Sequence, residues 1–277
     1  MKNPARGGGR WVEVAPGRLG SWADSFAARH PGVHVTMTPD GANFLASDGA
    51  VAECHAPFPP VPPPAPTPHA SAPHAAAGEP IAAGEGTGLI TLGEGAGLIE
   101  VAEAARWIAG HAGAARTVGV LLVRLGGFAA GVFTGSPPRL TASKVGSRLV
   151  HGRSAAGGTS QHRFARRREK QAAEAMSAAA DNAARVLGPY RDALDAVVLG
   201  GDRRAVTALS GDPRLARYFA LATDRFLTVP DPRLAVLRDT PRLFLAVRIR
   251  LTEPAQDQEP AQDQEPARGE EPAQDQG

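Results

Sequence analysis

The chain has 277 residues, 43% of them hydrophobic, which suffices for one or two domains with a core and excludes disorder throughout. The single cysteine, Cys54, excludes an internal disulfide. The sequence contains no run of about 18 apolar residues that could cross a membrane, so we expect a cytoplasmic protein without membrane contact. The net charge of +2 combines an acidic tail (residues 253–277, eight acids and one base) with a body of +9, which favours a nucleic-acid partner.

Residues 10–56 have the pattern of a small N-terminal α/β portion. WVEV (11–14) and VHVTMT (33–38) alternate apolar and polar residues, which predicts two strands. Between them, RLGSWADSFAARH (18–30) has apolar residues at helical spacing and predicts a helix. A further pair of short strands is expected within residues 44–55.

Two segments have compositions that do not support a packed core. Residues 57–97 contain PFPPVPPPAPTPHASAP and a glycine-rich run, and we interpret them as a mostly disordered linker. The glycine-rich run lacks the GK[ST] of a phosphate-binding loop. Residues 253–277 repeat an acidic, proline-containing hexapeptide and are expected to be disordered.

Residues 98–252 alternate between strand and helix patterns, which predicts an α/β fold with a mixed sheet and covering helices. A helix is expected near 98–113 and a hairpin of two strands at 117–125 and 128–135. The later elements are predicted in this order: a strand at 140–153, a glycine loop, a long helix to Leu187, a strand at 194–202, helices after Asp202 and after Gly211, a strand at 226–229, a helix at 230–239 and a closing strand at 242–251.

The long helix after the glycine loop is expected to have one apolar face. Ser160 or Thr159 can cap its first turn, because a hydroxyl accepts a free backbone N–H there. Arg163, Arg167 and Lys170 share another face with Glu174. The apolar stripe is formed by Ala165, Ala172, Met176, Ala179, Ala183 and Leu187.

The motifs of several enzyme classes are absent from the sequence. There is no GxSxG of a serine hydrolase, no HExxH and no paired CxxC for zinc. LGGDRRAV (199–206) is the nearest approach to a dinucleotide-binding GxGxxG, and we interpret it as a strand-to-helix turn. We expect no cofactor and no metal.

The remaining candidate site is GGTSQHRFARRREK, residues 157–170. From Lys144 to Lys170 the only acid is Glu169, and an acid-poor run of this kind favours binding to phosphate. Eight cations are the candidate RNA-binding residues: Lys144, Arg148, Arg153, Arg163, Arg166, Arg167, Arg168 and Lys170.

A glutamine follows the glycine pair of this loop. Gly157 and Gly158 allow backbone N–H groups to approach a ligand closely. Gln161 has no titratable proton and cannot act as a general base, but its amide can hold a water or donate to developing charge. Such a group needs a partner that supplies the rest of the active centre, and RNA is one such partner.

GGTSQHRFARRR resembles the GGQ loop and the following arginine helix of archaeal and eukaryotic class I peptide-chain release factors. The longer run SKVGSRLVHGRSAAGGTSQHRFARRREKQ is similar to the Vms-like release-factor branch, and in particular to its actinobacterial members. LGGDRRAV, DPRLA and VPDPRLAVL also fit that branch. The resemblance covers about residues 10–56 and 98–250 and is most specific at 143–171.

This resemblance implies a fold like the middle domain of those release factors. It implies hydrolysis of the ester between a nascent peptide and tRNA, on stalled large ribosomal subunits. Gln161 would be the catalytic glutamine, Gly157 and Gly158 would form the loop that reaches the peptidyl-transferase centre, and Thr159 and Ser160 would support it. The partners would be the large subunit, its rRNA and peptidyl-tRNA, and a ribosomal binder of this kind is usually a monomer.

One feature departs from the release-factor pattern. An ungapped alignment of RFAR places Thr159, not Gln161, opposite the release-factor glutamine. The Vms-like branch tolerates a shifted glutamine, so we retain Gln161.

Two alternative functions stay open. One is a nuclease that cuts tRNA near its CCA end, for which the loop offers only His151 and His162. The other is an RNA-binding rescue adaptor without turnover.

Overall fold

The computed structural model describes residues 3–4, 8–63, 99–124, 127–147 and 160–254. For residues 3–4, 160–169 and 172 it describes the backbone alone. Two sheets, one of six strands and one of five, form the framework of these residues. None of the helices within the described ranges is long and apolar enough to cross a membrane.

The first sheet is antiparallel and has the strand order β1-β2-β11-β5-β4-β3. Two helices, α1 (Leu19–Arg29) and α2 (Val101–Gly113), pack into the same hydrophobic core as its apolar residues, which include Phe44 and Ile249. Its strands are β1 (Asn3–Pro4), β2 (Arg10–Val14), β3 (His34–Thr38), β4 (Gly41–Leu45), β5 (Val51–His55) and β11 (Val247–Thr252).

The grouping of elements in this sheet differs from the ranges that the sequence suggested. The predicted range 98–252 includes both α2 and β11, yet both pack with the elements of residues 10–56. The reason is burial: Ile249 and Leu251 on β11 and Ile108 on α2 are almost fully buried in the core of the first sheet. A strand whose apolar residues alternate carries no local information about which sheet it joins.

The beginning of the proline-rich segment also packs against the body. Phe58 and Val61 are buried, although the sequence assigned them to a disordered linker. The Trp107 indole N–H donates to the Pro62 carbonyl at 2.8 Å, and the Val61 backbone N–H donates to the Pro39 carbonyl at 2.7 Å. Residues 64–97, the rest of the predicted linker, lie outside the described residues, as do residue 98 and 255–277 of the acidic tail.

The second sheet has the order β10-β9-β6-β7-β8 and is mixed, as predicted for the fold. Strands β6, β9 and β10 are parallel, whereas β7 is antiparallel to β6 and β8 is antiparallel to β7. The strands are β6 (Arg116–Arg124), β7 (Gly127–Gly135), β8 (Arg139–Ser147), β9 (Ala196–Gly201) and β10 (Ala222–Leu227). Four helices complete this part: α3 (Ser160–Leu187), α4 (Arg203–Ser210), α5 (Ala216–Ala220) and α6 (Leu234–Phe244).

Helices cover both faces of the second sheet. On β6, Leu121 and Val123 join the core that includes α3 and α4, whereas Val120 and Leu122 join the core that includes α6. This continuous run of buried apolar residues is typical of a strand that is covered on both sides. The fold is therefore mixed α/β with covering helices, which confirms the predicted class.

Two predicted boundaries near the C-terminus were misplaced. The helix expected to end at Asp239 continues to Phe244, and the closing strand begins at Val247 rather than at Arg242. Phe244 is buried between Phe58 and Phe133, with ring centroids 6.1 Å and 5.7 Å away. Long-range aromatic packing thus extends the helix into a segment whose own composition suggested a strand.

Candidate functional site

The glycine loop starts from the carboxyl edge of the second sheet. Ser147, the last residue of the edge strand β8, pairs with Gly127 at the start of β7. Strand β8 therefore runs in the same direction as β6, β9 and β10, and these four strands end at the same edge. Residues 148–159 lie outside the described residues, and they include five of the predicted site residues: Arg148, Arg153, Gly157, Gly158 and Thr159.

Helix α3 is longer than the sheet against which it packs. Its 28 residues extend about 42 Å, whereas the nine residues of β6 extend about 30 Å. The C-terminal end of the helix lies over the first half of β6, because a Cβ atom at Gly119 would be 3.1 Å from Leu187 Cδ2. The difference in length, about 12 Å, corresponds to about eight residues. Helix α3 is therefore about two turns longer than β6.

The C-terminal half of α3 fixes the helix on the sheet. Ala179, Ala183 and Leu187 are buried and Met176 is half-buried, so these four members of the predicted apolar stripe face the core. The side chains of the other two members, Ala165 and Ala172, lie outside the described residues.

An ion-pair cluster adds a second attachment for α3. Arg214, in the turn before α5, donates to Asp181 on α3 and to both carboxylate oxygens of Asp212, at 2.8 Å and 2.5 Å. These hydrogen bonds lower the pKa of Asp212 to about 2 and raise the pKa of Arg214. The cluster links the C-terminal part of α3 to the chain that follows α4.

The register of α3 separates the predicted site residues into two sets. Position 161 precedes Ala179 by 18 residues, which is about five full turns, so both positions lie on one line along the helix. Position 168 lies close to the same line. Positions 163, 167 and 170 lie about half a turn away, on the side where Lys170 and Glu174 are exposed. Arg168 thus shares a helical side with Gln161 rather than with the other arginines.

Two basic residues outside the predicted set lie at the same carboxyl edge. Arg203 and Arg204 begin α4, directly after β9, and both are exposed. The guanidinium carbon of Arg203 lies 4.3 Å from the ring centroid of Phe226 on β10. The carboxyl ends of parallel strands meet at one edge, so the RR that follows the strand LGG could have identified them. Of the predicted basic residues, Lys144 on β8 and Lys170 on α3 are both exposed.

The LGGD segment is a strand-to-helix turn, which confirms its interpretation from sequence. Gly201 has φ of +103°, and a Cβ atom there would collide with the Val123 carbonyl oxygen. The Asp202 carboxylate accepts from the Arg204 backbone N–H at 2.8 Å and caps α4. Within the described ranges, no group of His, Cys, Asp and Glu side chains is arranged to hold a metal ion.

The family comparison supports a release-factor relationship for part of the chain. Residues 116–250 match the family model described as "Actinobacteria/chloroflexi VLRF1 release factor". Among solved structures, the archaeal translation termination factor aRF1 is similar at 15% identity and a TM-score of 0.36, over 47% of this chain and 36% of that chain. No curated protein matches. The matched range contains the whole second sheet, the glycine loop and α3, and over this range the chain is similar to the VLRF1 release-factor family.

Proposed function

We propose that this protein is a peptidyl-tRNA hydrolase that acts with the ribosome in translation quality control and releases nascent chains on stalled large subunits. The observation that carries the proposal is the family match over residues 116–250, a range in which the glycine loop is followed directly by α3, a helix longer than the strands of the second sheet. The chain covers about a third of the archaeal factor to which it is similar, so its substrate and partners are part of the proposal.

The reaction is the hydrolysis of one ester bond. Water attacks the carbonyl carbon of the peptidyl ester, the bond to the tRNA 3′-oxygen breaks, and that oxygen leaves as a hydroxyl with a proton from the water. Gln161 cannot accept this proton, because an amide does not titrate near neutral pH. Its amide instead orients the water and donates to the oxyanion that develops in the transition state. Proton transfer is assigned to ribosomal and tRNA groups.

The basic residues of α3 are assigned to RNA phosphates. Positions 163, 167 and 170 occupy the side of the helix on which Lys170 is exposed. Arg203 and Arg204, at the carboxyl edge of the sheet, are two further exposed cations. Contacts of this kind bind the phosphate backbone without reading its sequence, which suits a factor that acts on tRNAs of different identity.

The test uses large ribosomal subunits that carry peptidyl-tRNA labelled in both the peptide and the tRNA. We expect the wild-type protein to release the peptide and leave an intact CCA end, and we expect Gln161→Ala to lose release by about 100-fold or more. Gln171→Ala is the matched control, because it removes the same amide from the same helix ten residues further on. Full release by Gln161→Ala would disprove the catalytic assignment.

Mapping the tRNA 3′ end separates the remaining alternatives. A shortened tRNA would identify the protein as a nuclease. Stoichiometric binding without release, equal for the wild-type protein and Gln161→Ala, would identify a rescue adaptor.

A further inference from the structure

A cleft of about 190 Å³ lies where the first sheet meets the edge strand β10 of the second sheet. None of the described residues that line it is assigned to peptide release. The side chains that give it chemical character are Trp11, Asp40, His55, Asp224, Arg225 and Arg248.

The strand register brings these side chains together on one face of the first sheet. Arg248 on β11 pairs directly with His55 on β5 and with Glu13 on β2. Trp11 precedes Glu13 by two residues and therefore lies on the same face. The opposite face carries Ile249, Cys54 and the other apolar residues that pack with α1 and α2. The cleft therefore opens on the polar face of this sheet.

Arg225 closes the cleft on the side of the second sheet. Its guanidinium donates to the Ala246 carbonyl and, at 3.0 Å, to Glu13 Oε1. Its side chain is only 8% exposed. Because both partners belong to the protein, Arg225 positions β10 against the first sheet and has little capacity left for a ligand.

The other polar groups of the cleft have unused hydrogen-bonding capacity. Within the part of the chain that the structure describes, no protein group accepts a hydrogen bond from Arg248, whose guanidinium carbon lies 4.4 Å from the Trp11 ring centroid. The carboxylates of Asp40 and Asp224 have no ion-pair partner among the described residues, and both residues are exposed. His55 Nε2 is buried without a hydrogen bond, since Glu53 Oε2 is 3.9 Å away.

The combination of unused groups restricts the class of ligand. The carboxylates disfavour a simple anion such as phosphate alone, and Arg248 disfavours a simple cation. The Trp11 indole, the His55 imidazole and the Arg248 guanidinium are planar, and planar groups of these types stack on nucleobases. A carboxylate accepts from the N–H groups on the pairing edge of a base, and guanine presents its N1–H and its 2-amino group side by side. The volume is below that of sites for drug-sized ligands and suits one base.

We propose that this cleft is a nucleotide-binding site, in which Arg248 holds the phosphate and Asp40 or Asp224 accepts hydrogen bonds from the amino-bearing edge of the base. The nucleotide is either one residue of an RNA strand or a free mononucleotide. The proposal does not depend on peptide release by Gln161. Binding in the cleft is measured by the Trp11 resonance and peptide release by the labelled peptide, so each can fail without the other.

The experiment follows the indole N–H resonance of Trp11 by NMR in the full-length, ¹⁵N-labelled protein. The chain has three tryptophans, and Trp11→Phe assigns the signal. GMP, UMP, inorganic phosphate and a short single-stranded RNA are titrated separately. We expect a saturable shift with GMP and a weaker one with UMP. No saturable shift with GMP or RNA, or equal binding of GMP and inorganic phosphate, would overturn the proposal.

Variants test the two ends of the nucleotide. Arg248→Gln should weaken the binding of GMP about tenfold or more, because it removes charge-assisted hydrogen bonds. Asp40→Asn combined with Asp224→Asn should abolish the preference for GMP over UMP, and both positions are exposed, so the fold should persist. Arg238→Gln, on the exposed side of α6, removes the same charge outside the cleft and should bind normally. Unchanged binding in both cleft variants would disprove the site.

The two sources of the nucleotide give different affinities. At least tenfold tighter binding of RNA than of GMP, with the same Trp11 signal and displacement by GMP, identifies an RNA residue. Equal affinities identify a free nucleotide.

Discussion

Phe58 packs edge-on against Phe244, with ring centroids 6.1 Å apart and planes inclined by 65°. Phe58 follows the last strand of the N-terminal portion, and Phe244 ends α6, so the contact joins the two parts of the molecule. The guanidinium of Arg116 covers the Phe58 ring at 4.8 Å, and the His111 imidazole hydrogen-bonds to the Phe58 carbonyl at 2.6 Å. The proline-rich segment therefore begins as an ordered attachment.

We predict that Phe58→Ala lowers the free energy of unfolding by about 3–5 kcal/mol, because it leaves a cavity between the two parts. Urea denaturation followed by circular dichroism measures this. Leu45→Ala is the control, since Leu45 is 48% exposed, and its cost should stay below about 0.5 kcal/mol. Equal effects of the two substitutions would show that Phe58 is not an anchor.

We predict that Gly201→Ala destabilises the protein by about 1–3 kcal/mol or more. The residue has φ of +103°, and the new methyl group would collide with the Val123 carbonyl oxygen. Gly211→Ala, at the other end of α4, is the matched control, because its φ is −72° and the nearest atom is 3.6 Å from the new Cβ. The control should be neutral or slightly stabilising. The midpoints of thermal unfolding compare the two, and a tolerant Gly201→Ala would contradict the close approach.

The Asp212–Arg214 pair should make stability depend on pH in the acid range. The pKa of Asp212 is lowered from 3.8 to about 2 by its hydrogen bonds with Arg214. A carboxyl group whose pKa is lower in the folded state stabilises the protein above its unfolded pKa and loses that contribution as the pH falls through its folded pKa. We therefore expect the stability difference between the wild type and Asp212→Asn to be largest above about pH 4 and to shrink towards pH 2.

Urea midpoints between pH 2 and pH 6 measure that difference. A difference that is constant across the range would show that the carboxylate charge of Asp212 makes no contribution.

The basic side of α3 should contribute to ribosome binding through phosphate contacts. We predict that Arg163→Gln combined with Arg167→Gln weakens binding to large ribosomal subunits and lowers the salt exponent of the affinity by about two. Co-sedimentation at several salt concentrations measures both quantities. Arg191→Gln combined with Arg217→Gln is the charge-matched control, because both arginines pair with Asp192, at 3.0 Å and 3.4 Å, near the opposite end of the helix.

The comparison of the two double variants tests whether ribosome binding depends on the basic side of α3 or only on the net charge. If both double variants lose affinity equally, net charge rather than the basic side of α3 governs binding.

Local patterns in the sequence determined most of the elements. The helical spacing at 18–30 and the long stripe ending at Leu187 each have a period that only a helix satisfies. The apolar run at 117–125 has no such period, but it is short, rich in β-branched residues and followed by two glycines, as buried strands often are. The LGGD turn was also determined locally, because a strand, a glycine with positive φ and a capping aspartate follow one another directly. For the same reason the glycine loop and Gln161 were identified as the candidate site from a contiguous motif.

The tertiary structure alone decided which elements meet. The sequence placed β11 with the second half of the chain, but its neighbours are β2 and β5, because a strand's period defines its faces and not its partners. Strand β10 begins four residues earlier than predicted and includes the buried Arg225. A buried arginine needs an acidic partner, and the partner of Arg225 is Glu13, over 200 residues away in the sequence. The edge position of Arg203 and Arg204 and the cleft around Arg248 likewise arise from long-range packing, which residue spacing does not encode.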